Sequence, residues 1–234
     1  MELPLFNDNL KSSAAWTAQL ARAQENWKAV LTDAERAAQL QARLRQTQVE
    51  QLSARAGQEI DEARWHDATK LVSDWAAESE ATLNVERLLT LHRVLLGLAP
   101  TADVLRQTEP LPLNAAHDPT PVILLPRMLD HAFDWFATPS FAELHPVEQA
   151  TVVYLRLLDL YPFPTAIEPT ALLVASFYTE RAGLPPLMIF ADEVTQARYD
   201  NALSAAFRML TQPLVELFSE MLLRAMQQAQ GAKQ

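Results

Sequence analysis

Cysteine is absent from this 234-residue chain, and glycine is scarce, with four residues. Average usage of about 7% would supply roughly 16 glycines. Without a thiol there is no disulfide framework, zinc–thiolate site, iron–sulfur cluster or cysteine nucleophile. That composition fits a reducing compartment. Gly57, Gly97, Gly183 and Gly231 stand far apart, so neither a G-x-G-x-x-G turn nor a phosphate-binding P-loop is present. Basic residues are also in the minority, 19 Lys and Arg against 29 Asp and Glu, for a net charge of −10. Such a chain repels phosphate backbones, and no dense Lys/Arg run offsets this, so no nucleic-acid partner is expected. The stretch Met1–Asp8 lacks a basic segment followed by an apolar core, so no signal peptide is expected. The apolar run Pro121–Leu125 is too short to span a bilayer and the longer helices carry charges. A soluble, cytoplasmic protein with no membrane partner is the expectation.

What is present is helical periodicity. Between Lys11 and Leu31, residues Trp16, Leu20, Trp27 and Leu31 share roughly one face. Asp33 caps a second helix running to about Arg55, with Gly57 as an interruption, and a third runs from about Trp65 to Ser79. Asn84 caps a fourth, whose stripe is Val85, Leu88, Leu89, His92, Leu95 and Leu96. The segment from Pro100 to Pro119 carries four prolines and reads as a loop or short β-hairpin. Helices resume over Pro126–Ala137, His145–Leu160, Pro169–Ala182, Asp192–Met209 and Gln212–Gln228, followed by a frayed tail. The fold class is all-α. The first third is rich in Gln, Ala and Arg, which divides the chain into an N-terminal helical extension, 1–82, and a body, 83–234. One continuous helical domain is the equal alternative.

Residues that could carry chemistry are few. The five histidines, His66, His92, His117, His131 and His145, show no metal-ligating spacing. His92 reads as a core histidine and His145 as part of a helix start. Asp130 and Asp134, with His131 beside them, read as a solvated face, as do Asp61, Glu62, Asp67 and Asp74. Ser12 and Ser13 lack a nucleophile-elbow context. The Trp/Leu stripe of the first helix serves either as core or as a surface for homo-oligomers formed through the N-terminal helices.

A longer pattern lies from His145 onward. His145-Pro146-Val147-Glu148-Gln149-Ala150 precedes a helix, then comes Tyr161-Pro162-Phe163-Pro164-Thr165-Ala166-Ile167-Glu168-Pro169-Thr170-Ala171-Leu172, a second helix, and Arg181-Ala182-Gly183-Leu184-Pro185-Pro186. This resembles the Fic (fido) family, whose members commonly transfer AMP from ATP to a protein hydroxyl. The family shows H-P-[IV]-x-x-A, a helix, the loop H-P-F-x-[DE]-G-N-G-R-x-x-R, a helix, and an R-A-G-x-P-P-like turn. Leu91-His92 with Leu95, Arg106 as the arginine of a G-x-x-R element, and Arg198-Tyr199 with Ala202-Leu203 extend the likeness over roughly residues 84–225. Pro110–Pro121 matches the family's target-docking flap. The resemblance implies a Fic-like helical bundle with a short β-hairpin flap and an N-terminal extension.

The chemistry of the motif does not carry over. The catalytic His position holds Tyr161, while Pro162 and Phe163 are kept. The metal-binding acid falls on Thr165, the Gly-Asn-Gly run on Ala166, Ile167 and Glu168, and the two phosphate-gripping arginines on Pro169 and Leu172. Asp103 takes the glycine of G-x-x-R. A transfer base works best near the operating pH, and tyrosine titrates near about 10. A neutral threonine hydroxyl is a poor ligand for a hard divalent cation. Pro169 removes an N–H from the helix N-terminus, and Glu168, read as its N-cap, repels a triphosphate. The family's inhibitory [ST]-x-x-x-E-[GN] helix has no counterpart; Glu59 is nearest in position, with Arg55 four residues before it. ATP and Mg²⁺ binding are therefore expected to be lost. The expectation is a catalytically inactive pseudoenzyme acting as a protein-interaction or regulatory module, its protein partner unidentified. The alternative is a Fic-fold nucleotidyl- or phosphotransferase with a remodelled site, using Arg106, Tyr161 and Thr165 as a residual pocket.

Overall fold

The computed structural model of the protein describes residues 14–56 and 60–231. Met1–Asp8, Ser12, Ser13, Glu59 and the last three residues, for which expectations were stated, lie outside those. The chain runs α1 (Ala14–Leu31), α2 (Ala34–Ala56), α3 (Glu62–Ala77), α4 (Val85–Leu96), a 3₁₀ turn (Val122–Leu124), α5 (Leu125–Phe136), α6 (Pro139–Ala142), α7 (Pro146–Leu160), α8 (Ile167–Arg181), α9 (Glu193–Ala206) and α10 (Gln212–Gly231). None of the described helices is long and apolar enough to cross a membrane.

Polar side chains set the helix starts. Asp33 accepts from the Arg36 N–H (3.0 Å), Asp61 from Arg64, Asn84 from Arg87 (2.9 Å), and Asp192 from Thr195 (3.0 Å). Each satisfies an amide that has no intrahelical partner. At α7 the cap is reciprocal. His145 accepts from the Val147 N–H, and Glu148 reaches back to the His145 N–H at 2.9 Å. Gly97, at φ +64, ends α4 in the left-handed conformation that glycine adopts without a Cβ penalty.

Helices α7 and α8 pair at the centre, and both bury residues on nearly every side, as central helices do. Their neighbours are amphipathic instead. In α5, Leu125, Leu129, Ala132, Phe133 and Phe136 face inward while Asp130, His131 and Asp134 are exposed. On α4 the buried set is Leu88, Leu91, His92 and Leu95; Leu91 lies deeper than the expected stripe member Leu96. Helices α3 and α4 flank α8, and α10 lies on α1, α7 and α9. The apolar stripe of α1 is used inside this chain: Leu20 and Trp27 are buried, and the helix packs on α10 and α2.

The Gln-rich composition of α2 has a structural reason. After a turn at Ala182 and Gly183, residues 184–190 run buried without helix or strand, so the amides and carbonyls along this stretch need partners. Gln48 Nε2 donates to the Leu187 carbonyl, Gln51 Oε1 accepts from the Ala191 N–H (2.7 Å), and Gln24 of α1 donates to the Ala182 carbonyl (2.7 Å). These bonds tie the N-terminal helices to the body.

The expected hairpin is not there. No strand occurs among the described residues, and residues 97–121 are turns and bends. Prolines at 110, 112, 119 and 121 cannot donate to a ladder. Side chains hold the segment instead. His117 Nδ1 accepts from the Leu113 N–H (3.0 Å), and the Glu109 carboxylate accepts from the Val122 N–H (3.0 Å).

Candidate functional site

The loop between α7 and α8 carries the pattern singled out in the sequence. It opens on Tyr161 at φ +47 and closes on Ala166 at φ +51. Both are left-handed conformations that cost an L-residue roughly 1–2 kcal/mol. The loop turns where the resemblance places glycine, but does so on an alanine. Between them Pro162 and Phe163 are buried while Pro164 and Thr165 are exposed. Phe163 stacks face to face on His92, with ring centroids 3.6 Å apart and planes 5° apart.

Helix α8 begins two residues earlier than the sequence suggested. Ala166 is the N-cap residue, and the Thr170 N–H makes the first intrahelical bond to its carbonyl at 3.1 Å. Glu168 is thus not the cap. It lies in the first turn, and Pro169 is its third residue. Proline is still tolerated there, because the first turn's N–H groups lack intrahelical acceptors in any case. Thr170 also accepts or donates at His92 Nδ1 (2.9 Å). Burial, with Arg93 nearby, lowers the His92 pKa to about 4, so this tie between α4 and α8 is neutral.

Glu168 has company that the sequence reading missed. Arg55, from the last turn of α2, donates Nη2–H to Glu168 Oε1 at 2.6 Å and Nη1–H to Gln196 Oε1 at 2.7 Å. Its guanidinium lies 4.2 Å from the Tyr199 ring centroid. Tyr154 donates to the same Glu168 oxygen (3.3 Å) and shares a 2.6 Å hydrogen bond with the Tyr199 hydroxyl. The Arg55 side chain is 5% exposed and Glu168 34%. Burial, the largest single influence, opposes the Arg55 charge, but Glu168, Tyr154 and Tyr199 together outweigh it and raise the pKa. Burial raises both tyrosines, with Glu168 adding to it, so both hydroxyls stay protonated. A carboxylate therefore sits at the positive end of the α8 dipole with its own counter-cation.

Arg106 plays the matching part on the other side of the loop. Its Nε–H donates to the Tyr161 carbonyl (2.5 Å), Nη1–H to the Thr108 carbonyl (3.2 Å), and Nη2–H to the carbonyls of Thr120 and Leu160. Its own N–H bonds the Pro162 carbonyl (2.9 Å), and Glu109 lies at 3.3 Å. It closes the C-terminus of α7 and fastens the flap segment to the loop. Its side chain is 1% exposed, so it is no spare cation for a residual pocket. Tyr161 is half-buried beside the His117 ring (centroids 6.2 Å apart), and Thr165 is exposed.

The remaining positions are structural in their surroundings. Leu172 and Ile167 are buried and Pro169 half-buried. Asp103 accepts from the Leu105 N–H in a local turn (3.3 Å). ATP with Mg²⁺ does not fit the residues present. The loop offers no carboxylate but Glu168, which Arg55 already holds, and no arginine of the loop itself. Among the described residues no group of three or more His, Asp or Glu side chains is arranged to hold a metal ion.

These helices, with a loop of this form between the two central ones, define a class. The solved structure of a Fic-1 fragment from Caenorhabditis elegans superposes with a TM-score of 0.72 at 16% identity, over 93% of this chain and 71% of that one. A Fic domain-containing signaling protein from Bacteroides thetaiotaomicron does so with a TM-score of 0.72 at 17% identity, over 91% and 97%. By sequence, the chain is 26% identical over 136 residues to the protein adenylyltransferase Fic of Nematostella vectensis. It is 25% identical over 125 residues to the protein adenylyltransferase fic-1 of C. elegans. The aligned stretches span 32% and 24% of those two proteins, and 58% and 53% of this chain. No family model matches. The chain thus has the all-α fold of these Fic-domain structures and is similar in sequence to Fic proteins, of which it spans less than a third.

Proposed function

We propose that this Fic-fold chain does not transfer AMP and serves as a protein-interaction or regulatory module. One observation carries the reading: the N-terminus of α8 is served by the chain's own carboxylate, Glu168, locked by Arg55 and Tyr154. A triphosphate arriving there would meet a fixed negative charge, and Pro169 offers it no N–H. The buried tyrosines Tyr154 and Tyr199 are held protonated and supply no base. The protein-interaction half of the reading rests on Leu111 and Ile123, 87% and 86% exposed on and just after the flap. Two apolar side chains of that size left in water on and beside one segment favour a docking role for that segment.

The test is label transfer from α-labelled ATP with Mg²⁺, with the full chain alone and with lysate proteins. No incorporation above that of the heat-denatured chain is expected. Label appearing on the chain or on any lysate protein would overturn the reading. For the docking face, a partner captured by the chain should be released by Leu111→Ser with Ile123→Ser, and retention by that variant would remove the flap from the proposal.

A further inference from the structure

A second polar centre lies away from the loop, where the N-terminal helices meet the end of α8. A cavity of about 180 Å³ is lined by Trp27 of α1, Arg45 of α2, Ser73 and Ala76 of α3, Glu180 of α8, and the turn at Leu184. Such a volume is well below the roughly 300–1,000 Å³ typical of drug-sized ligands, so any occupant is small. The groups around it are incompletely used. Ser73 donates its hydroxyl to Glu180 Oε2 and accepts from Arg45 Nη2. Glu180 Oε1 makes no hydrogen bond with a described residue, and Arg45 forms no ion pair there. Burial raises the Glu180 pKa, against the pull of Ser73 and Arg45. A half-buried carboxylate and a half-buried guanidinium that share a serine without touching leave one acceptor and several donors at the wall of the same cavity.

The pattern specifies an occupant. Glu180 asks for a cationic N–H donor, Arg45 for an anionic acceptor, and Trp27 with Leu184 for an apolar middle. We propose that this cavity binds a small zwitterion of the α-amino acid class, with its ammonium on Glu180 and its carboxylate on Arg45. Because it lies between α1–α3 and α8, an occupant bridges the N-terminal helices to the body and stabilises the docked arrangement.

The test uses the full chain and the proteinogenic L-amino acids at millimolar concentration, read by thermal shift and confirmed by calorimetry. At least one amino acid is expected to raise the melting temperature saturably. Its amine-only and carboxylate-only analogues should bind about tenfold more weakly or worse. Glu180→Gln and Arg45→Met should each weaken binding by a similar factor, and Ala76→Phe, which fills the cavity, should abolish it with helical content intact by circular dichroism. Failure of every amino acid to give a saturable shift overturns the proposal. So does equal binding of either single-charge analogue, or binding undiminished in Ala76→Phe.

Discussion

Two buried arginines hold the α7–α8 loop from opposite sides, by different means. Arg106 grips backbone: its donors go to four carbonyls, at Thr108, Thr120, Leu160 and Tyr161. Arg55 grips side chains: Glu168, Gln196 and the face of Tyr199. The backbone grip works for any sequence that folds this way, since carbonyls are always present. The side-chain grip depends on particular residues. Arg106 stands where the Fic resemblance places the arginine of a G-x-x-R element, whereas Arg55 and Glu168 stand where that resemblance expects other residue types.

Breaking each hold measures the contrast. The largest effect is expected from Arg106→Met, which leaves several buried carbonyls without donors. A loss of about 4 kcal/mol in urea unfolding is expected; a loss under about 1 kcal/mol would demote it to a bystander. Next comes the neutral tie at His92. Its pKa is lowered to about 4 in the fold, against about 6.5 when unfolded. The unfolded chain therefore takes up the proton first as pH falls. Stability from this group is complete above about pH 6.5 and is lost between there and pH 4, by about 3 kcal/mol at most. A pH series of unfolding curves should show that slope, and His92→Gln should flatten it.

Arg55→Met should cost less than Arg106→Met, about 2 kcal/mol, because Glu168 is partly solvated and regains water. A double-mutant cycle with Glu168→Gln should return a favourable coupling of about 1 kcal/mol between them. A coupling near zero would make their contact incidental. The smallest effect is expected from Tyr161→Phe, within about 0.5 kcal/mol. Its backbone, not its hydroxyl, is what Arg106 holds.

How far the sequence reached follows the same division. The helices, their caps at Asp33 and Asn84, and the turn at Gly183 are legible because they rest on local spacing and short side-chain reach. The burial of His92 followed from its apolar helix face. The start of α8 was misplaced because Pro169 offered a strong signal for a first helical residue. Ala166 took a left-handed conformation that only its tertiary setting supports. The prolines of the 100–121 segment are compatible with either a loop or a short hairpin by local spacing alone, and it is the loop that forms. Least legible were the pairings across long separations. Arg55 and Glu168 lie 113 residues apart, and Ser73 and Glu180 lie 107 apart. The one hint was that Arg55 stood where the inhibitory pattern asked for serine or threonine.

The central claim is that the seat at the α8 N-terminus is taken by the chain itself. The most direct measurement is a thermal melt of the full chain against increasing ATP with Mg²⁺. A ligand that binds the native state must raise its melting temperature saturably. The account expects a flat response across the titration. A saturable rise with ATP–Mg²⁺ would contradict it.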